Sequence, residues 1–154
     1  MPTSLELFKK ALNFVAPIEG GYVNDPDDSG GATNKGVTQD VYDKYRLSKK
    51  LKVQSVKNIT TADVEQIFYE NYWLAAGCDK MSPRFAVLVF DTAINMGIGI
   101  PPKLLQAAHY KDVNEYLLER IELYLKYAKV KTQKKFLEGW LNRVFALRDF
   151  VNTL

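Results

Sequence analysis

The stretch that decides the fold runs Glu19-Gly20-Gly21-Tyr22-Val23-Asn24-Asp25-Pro26-Asp27-Asp28-Ser29-Gly30-Gly31-Ala32-Thr33-Asn34-Lys35-Gly36-Val37-Thr38. It opens with a carboxylate where a helix stops, passes through a dense cluster of turn formers, and closes on a threonine suited to cap the next helix. Val23, Ala32 and Val37 are too sparse for long strands, so the stretch holds at most a small hairpin. Before it, Leu5, Phe8, Leu12 and Val15 recur at helical spacing, with Thr3 or Ser4 as the cap. Pro17 kinks or ends that helix, and Gly20-Gly21 stops it.

After it the pattern is helical throughout. Thr38 caps a helix through Tyr42, Tyr45 and Arg46. Residues 48–58 read as a polar, basic loop. Thr60 or Thr61 caps a helix carrying Val64, Ile67, Phe68 and Tyr72. A further helix runs from Pro83 to Met96 and ends at Gly97-Ile98-Gly99. Pro101-Pro102 opens a short one, because proline is tolerated in a first turn. Two longer helices span Val113 to Ala128 and Gln133 to Val151, the last with Phe136, Trp140, Val144, Leu147 and Val151 as an apolar stripe. The expected fold class is therefore mainly α, with a small turn or hairpin region after the first helix.

The 154 residues fit one domain, or one domain with a closely packed extension. The expected division is 1–97 and 98–154, with the break near 97–102. Hydrophobic residues make up 47% and charged residues 25%, which excludes a disordered chain. A net charge of +3 is too modest for a dedicated nucleic-acid binder. From Lys103 to Leu154 there are 10 basic against 6 acidic residues, so the excess sits at the C-terminus, either facing an anionic polymer or on a solvated surface. Cys78 stands alone, so no intrachain disulfide forms, and it reads as a small buried residue. His109 is also alone, and no metal or organic cofactor is expected. The N-terminus lacks a basic start followed by an apolar run, so no cleavable signal is expected. No apolar run reaches the ~20 residues that span a bilayer.

The residue chemistry points to a glycosidase. A helix C-terminus carries partial negative charge, and apolar neighbours such as Val15 and Ile18 desolvate. Both raise the pKa of Glu19, and a carboxyl that stays protonated can donate to a leaving oxygen. Asp28, in a turn where Gly30 and Gly31 permit close approach of backbone N–H groups, supplies an ionised carboxylate across a sugar. Asp25 and Asp27 compete for that role. Thr33 and Asn34 can hydrogen-bond a water or sugar hydroxyls. Tyr22 and Tyr42 can stack on sugar rings, and Tyr72, Trp73 and Trp140 are either further platforms or core. The same stretch also resembles a surface turn or a calcium loop, but its acidic residues do not follow calcium-loop spacing.

The run Glu19-Gly20-Gly21-Tyr22, then Asp25-Pro26, Asp28-x-Gly30-Gly31-x-Thr33-Asn34-x-Gly36-Val37-Thr38, resembles glycoside hydrolase family 108, lysozyme-like N-acetylmuramidases of bacteria and their phages. The resemblance implies a lysozyme-like fold and Glu19 as the catalytic acid. The spacing is also similar to phage-type lysozymes, which supports Asp28 and Thr33 as catalytic. The threonine falls one position early, with Asn34 at the matching place. Phe90-Asp91-Thr92-Ala93-Ile94-Asn95-Met96-Gly97, Lys103-Leu104-Leu105-Gln106 and Phe136-x-x-Gly139-Trp140-x-x-Arg143 resemble the C-terminal region of this family, which implies peptidoglycan binding by residues 98–154. Asp91 and Asn95 share one helix face. They either face the substrate groove, with Asn95 a substrate contact, or tie helices together. Ser48 to Lys57 lacks family landmarks and reads as a lysine-rich loop suited to an anionic wall.

The implied activity is cleavage of the bond between N-acetylmuramic acid and N-acetylglucosamine. The alternatives are a lytic transglycosylase and a non-catalytic wall-binding or secretion-helper protein. The expected partner is the peptidoglycan glycan strand, met by a monomer without stable membrane insertion. The expected location is the periplasm or wall, after synthesis in the cytoplasm and release or export, as for a phage or prophage endolysin.

Overall fold

The computed structural model describes residues 3–16, 20–24, 31–110 and 112–154. The chain forms two compact units, Met1–Leu74 and Ala75–Leu154. The sequence suggests a break near residues 97–102. The structural units follow packing instead.

In the first unit α1 spans Ser4–Val15. Thr3 and Glu6 form a reciprocal capping box at its start. The buried stripe is Leu7, Phe8, Ala11 and Val15. Leu5 is 48% exposed, so the apolar face is rotated from the expected one. The reason is steric: Phe8 meets Tyr69 and Trp73 edge-on at 4.9 and 5.6 Å, which fixes the inward direction.

The hairpin follows. Strand β1 (Thr33–Asn34) pairs antiparallel with β2 (Val37–Thr38). The two residues between them, Lys35 and Gly36, have φ of 51° and 78°. Two positive φ values make the type I′ turn whose twist matches paired strands. Helix α2 (Gln39–Ser48) starts directly from β2, with the Thr38 hydroxyl accepting from the Val41 N–H. A 3₁₀ turn at Val56–Asn58 leads to α3 (Thr61–Phe68), capped by Thr60. The helix then widens into a π-helical segment, Tyr69–Leu74.

The second unit is wholly helical among its described residues: α4 (Pro83–Met96), α5 (Pro101–Ala107), α6 (Val113–Ala128) and α7 (Leu137–Val151), with short 3₁₀ turns before α4 and α7. Every residue from Ala86 to Ala93 is buried, so α4 is the core helix. Gly97 ends it at φ 95°. Phe136 lies in the turn before α7 and is partly exposed, so the stripe of the last helix starts later than its spacing suggested. Cys78 is buried, and desolvation pushes its thiol pKa up to about 12.

Candidate functional site

Outside the hairpin, one backbone contact organises the glycine-rich stretch. Val23 N–H donates to Thr33 O at 2.7 Å, and Thr33 N–H donates back to Val23 O at 2.8 Å. Thr33 is therefore paired on both sides, with Val23 and with Thr38. In sequence, Asp25, Asp27 and Asp28 fall between the two ends of the bridge. Gly20, at φ 73°, lies at the other end of the paired segment. Glu19 and Asp28, like Asp25 and Asp27, lie outside the described residues.

The bridge brings Tyr22, Thr33 and Asn34 together. Tyr22 is 42% exposed, with the Lys57 ammonium 5.8 Å from its ring centroid. Thr33 is half-buried, and among the described residues nothing takes its hydroxyl. Asn34 is buried, and its Nδ2 donates to the carbonyls of Val56 and Lys57, each at 3.2 Å. Both amide protons are thus committed to holding the hairpin against the 3₁₀ turn.

A second layer of hydrogen bonds stands behind this contact. Gln39, the first residue of α2, accepts from Val56 N–H at 2.7 Å and donates to Gln54 O at 2.8 Å. Gln54 donates to the Tyr42 hydroxyl at 2.7 Å. Tyr42 donates in turn to Asp63 at 3.2 Å, and Arg46 donates to Tyr42 at 3.3 Å. The Arg46 Nε also donates to Lys52 O at 2.5 Å. Loop 49–58, polar in sequence, is held by six hydrogen bonds to side chains of β1 and α2. Gln39, Gln54 and Lys57 carry no motif, and their partners lie across the fold, so the sequence spacing gave no sign of them. The one local signal is Gln39, placed directly after a capping threonine.

Tyr42 is fully buried with its hydroxyl in this network, and its ring lies 6.5 Å from that of Tyr45. Burial, then the neighbouring Asp63, raises the Tyr45 pKa. Trp73 is also fully buried and donates its indole N–H to Ser4 at 3.1 Å. These two rings, expected as sugar platforms, are core. Tyr72 is half-buried, edge-on to Phe68 at 5.5 Å.

Asn95 belongs to the second unit, in the last turn of α4. Its Oδ1 accepts from the Tyr124 hydroxyl and, at 3.4 Å, from Arg120. One turn earlier Asp91 is fully buried, with Arg120 Nη1 at 2.6 Å and Arg143 Nε at 3.0 Å. Burial opposes the charge on Arg120, and Asp91 and Tyr124 together more than offset it, so its pKa is raised. Tyr124 stacks on Trp140 at 4.9 Å. Of the two roles open to the Asp91–Asn95 face, it performs the tying of α4, α6 and α7. Among the described residues no three His, Cys, Asp or Glu gather where a metal could bind.

A family model described as Glycosyl hydrolase 108 matches residues 12–97. The solved structure of Brucella abortus SagA is 27% identical, with a TM-score of 0.73, over 95% of this chain and 94% of that one. No curated protein matches the chain. The architecture is the lysozyme-like, mainly helical one that the motif implied, with its small hairpin after the first helix.

Proposed function

The chain belongs to glycosyl hydrolase family 108, and from that premise we propose that it is a peptidoglycan hydrolase of the N-acetylmuramidase type with Glu19 as its proton donor. The match spans the whole Glu19-to-Thr38 motif. The observation that carries the proposal is the Val23–Thr33 bridge. Glu19 lies four residues before Val23 and Asp28 five before Thr33. Covalent chain length therefore keeps their Cα atoms within about 14 and 18 Å of the bridge. Both carboxylates are thus joined by a few residues to one small anchored hairpin, which carries an exposed tyrosine and a threonine whose hydroxyl has no partner among the described residues.

In this reading Glu19 protonates the glycosidic oxygen, and Asp28 stabilises the oxocarbenium-like transition state or activates water. Thr33 orients that water. Tyr22 is the stacking surface, and Asn34 acts by holding the hairpin in register. Residues 98–154, beyond the family match, hold the wall. The enzyme acts in the periplasm or wall after release or export.

A turbidity assay on purified peptidoglycan tests the assignment. Glu19→Gln loses activity by about 10²- to 10⁴-fold, the usual worth of a positioned general acid, with unchanged unfolding. Full lysis by that variant overturns it. Mass spectra of the products separate hydrolysis from lytic transglycosylation, since only the latter leaves anhydro-muramyl ends. A pure wall binder shows no cleavage from the wild type either.

A further inference from the structure

Between Lys44 and Lys57 the chain carries six cations (Lys44, Arg46, Lys49, Lys50, Lys52 and Lys57) and no acidic residue. Its centre, Leu47-Ser48-Lys49-Lys50-Leu51-Lys52-Val53, is exposed at every position. Leu47, Leu51 and Val53 are 62%, 46% and 54% exposed.

The segment is firmly built. Helix α2 stops there by a tight turn: Lys50 N–H donates to Leu47 O, Leu51 N–H donates to Arg46 O at 2.9 Å, and Lys50 takes φ 60°. Arg46 and Gln39 pin the following carbonyls, those of Lys52 and Gln54. The aliphatic and cationic side chains are therefore presented on a fixed ridge. Acidic neighbours answer only part of the charge. Asp40 pairs with Lys44 at 2.6 Å and Glu70 with Lys49 at 3.2 Å. Among the described residues no carboxylate pairs with Lys50 or Lys52.

We propose that this ridge is an interfacial anchor for an anionic phospholipid bilayer, with Lys50 and Lys52 meeting the headgroups and Leu47, Leu51 and Val53 entering the acyl boundary. Charge selects an anionic partner. The three aliphatic side chains distinguish a lipid surface from a water-borne polyanion. A phosphate-rich polymer answers the lysines but leaves the leucines and valine in water, whereas the headgroup boundary takes both. No spanning helix is involved, and among the described residues none is long and apolar enough to cross a membrane. Surface attachment of this kind concentrates the protein beside a membrane without committing it to insertion. It goes beyond the glycosidase reading and does not depend on it.

Vesicle co-sedimentation tests the anchor with the intact chain. The probes are phosphatidylcholine vesicles with and without phosphatidylglycerol, and soluble polyphosphate as competitor. The wild type partitions onto the anionic vesicles and not onto pure phosphatidylcholine. Each lysine near an anionic surface is worth roughly fivefold, so Lys50→Glu with Lys52→Glu weakens partitioning by more than about twentyfold. Leu47→Ser, Leu51→Ser and Val53→Ser together also abolish it, while binding to polyphosphate stays as in the wild type. These side chains are exposed, so unfolding midpoints stay unchanged in both variants. Undiminished vesicle binding by the aliphatic variant overturns the proposal in favour of a polyanion contact. Absence of vesicle binding by the wild type overturns it outright.

Discussion

Two polar clusters, one in each compact unit, hold the chain's most informative side chains in opposite ways. In the second unit a single carboxylate, Asp91, is fully buried between the guanidinium groups of Arg120 and Arg143. In the first unit the hairpin is tied by neutral amides: Asn34 and Gln39 bond backbone carbonyls and an N–H of the adjoining loop. A charge sealed this way is committed to tying three helices. Neutral amide ties position the hairpin without placing a charge in it. The arrangement of partners, more than the residue type, separates a structural carboxylate from a candidate catalytic one.

The largest expected effect breaks the charged cluster. Asp91→Asn keeps the shape but deprives two buried guanidinium groups of their shared carboxylate. Loss of one partner of a buried pair costs about 3–5 kcal/mol. For a chain of this size, each kcal/mol lowers the melting temperature by roughly 2–4 °C. Differential scanning calorimetry should therefore show a fall of around ten degrees or more. A fall of only a degree or two means the cluster contributes little to folding.

Next comes the neutral cluster. Asn34→Ala leaves the carbonyls of Val56 and Lys57 without their donor, at a cost of about 1–3 kcal/mol. Unlike Asp91→Asn, it should also lower lysis of peptidoglycan measured well below its melting temperature, because the hairpin loses its anchor to the loop. Stability loss with undiminished lysis in the folded protein would show that the hairpin holds its register without Asn34.

These two clusters also show what the sequence made legible. Helix starts at Thr38, Thr60, Pro83 and Pro101 and the stop at Gly97 were readable, because caps and breakers act within one turn. The hairpin was readable from the cluster of turn formers and the sparse apolar positions. Asp91 and Asn95 were placed correctly on one helix face, but spacing along a helix does not say what meets that face. Arg120 and Arg143 lie 29 and 52 residues from Asp91, so their convergence is a property of packing. The same limit hid the inward direction of Leu7 in place of Leu5, and the burial of Tyr42 and Trp73. Glu19 and Asp28 were singled out by motif and chemistry, and lie outside the described residues.

A smaller effect comes from Cys78. Its thiol pKa is raised to about 12 by burial, above the ordinary value near 9. The folded state keeps this proton where the unfolded state has lost it. The associated stability is complete below pH 9 and is lost as pH rises toward 12, with a slope of up to about 1.4 kcal/mol per pH unit. Cys78→Ala should flatten that part of the stability profile in urea titrations between pH 9 and 11. Equal slopes in the two proteins would mean the thiol is not sealed.

The smallest expected effect sharpens the view of the hairpin as the gentler of the two constructions. Lys35 sits at φ 51° in a turn that glycine or asparagine enters with less strain. Its only side-chain hydrogen bond among the described residues is exposed and long, 3.5 Å to the Thr61 hydroxyl. Lys35→Asn therefore removes little contact while relieving the backbone, and should stabilise the protein by up to about 1 kcal/mol, as compatible turn substitutions do. A rise of a few degrees in melting temperature is the expected reading. A fall would mean that the Thr61 contact outweighs the turn, so that the first unit relies on side-chain reach at a position where backbone geometry should decide.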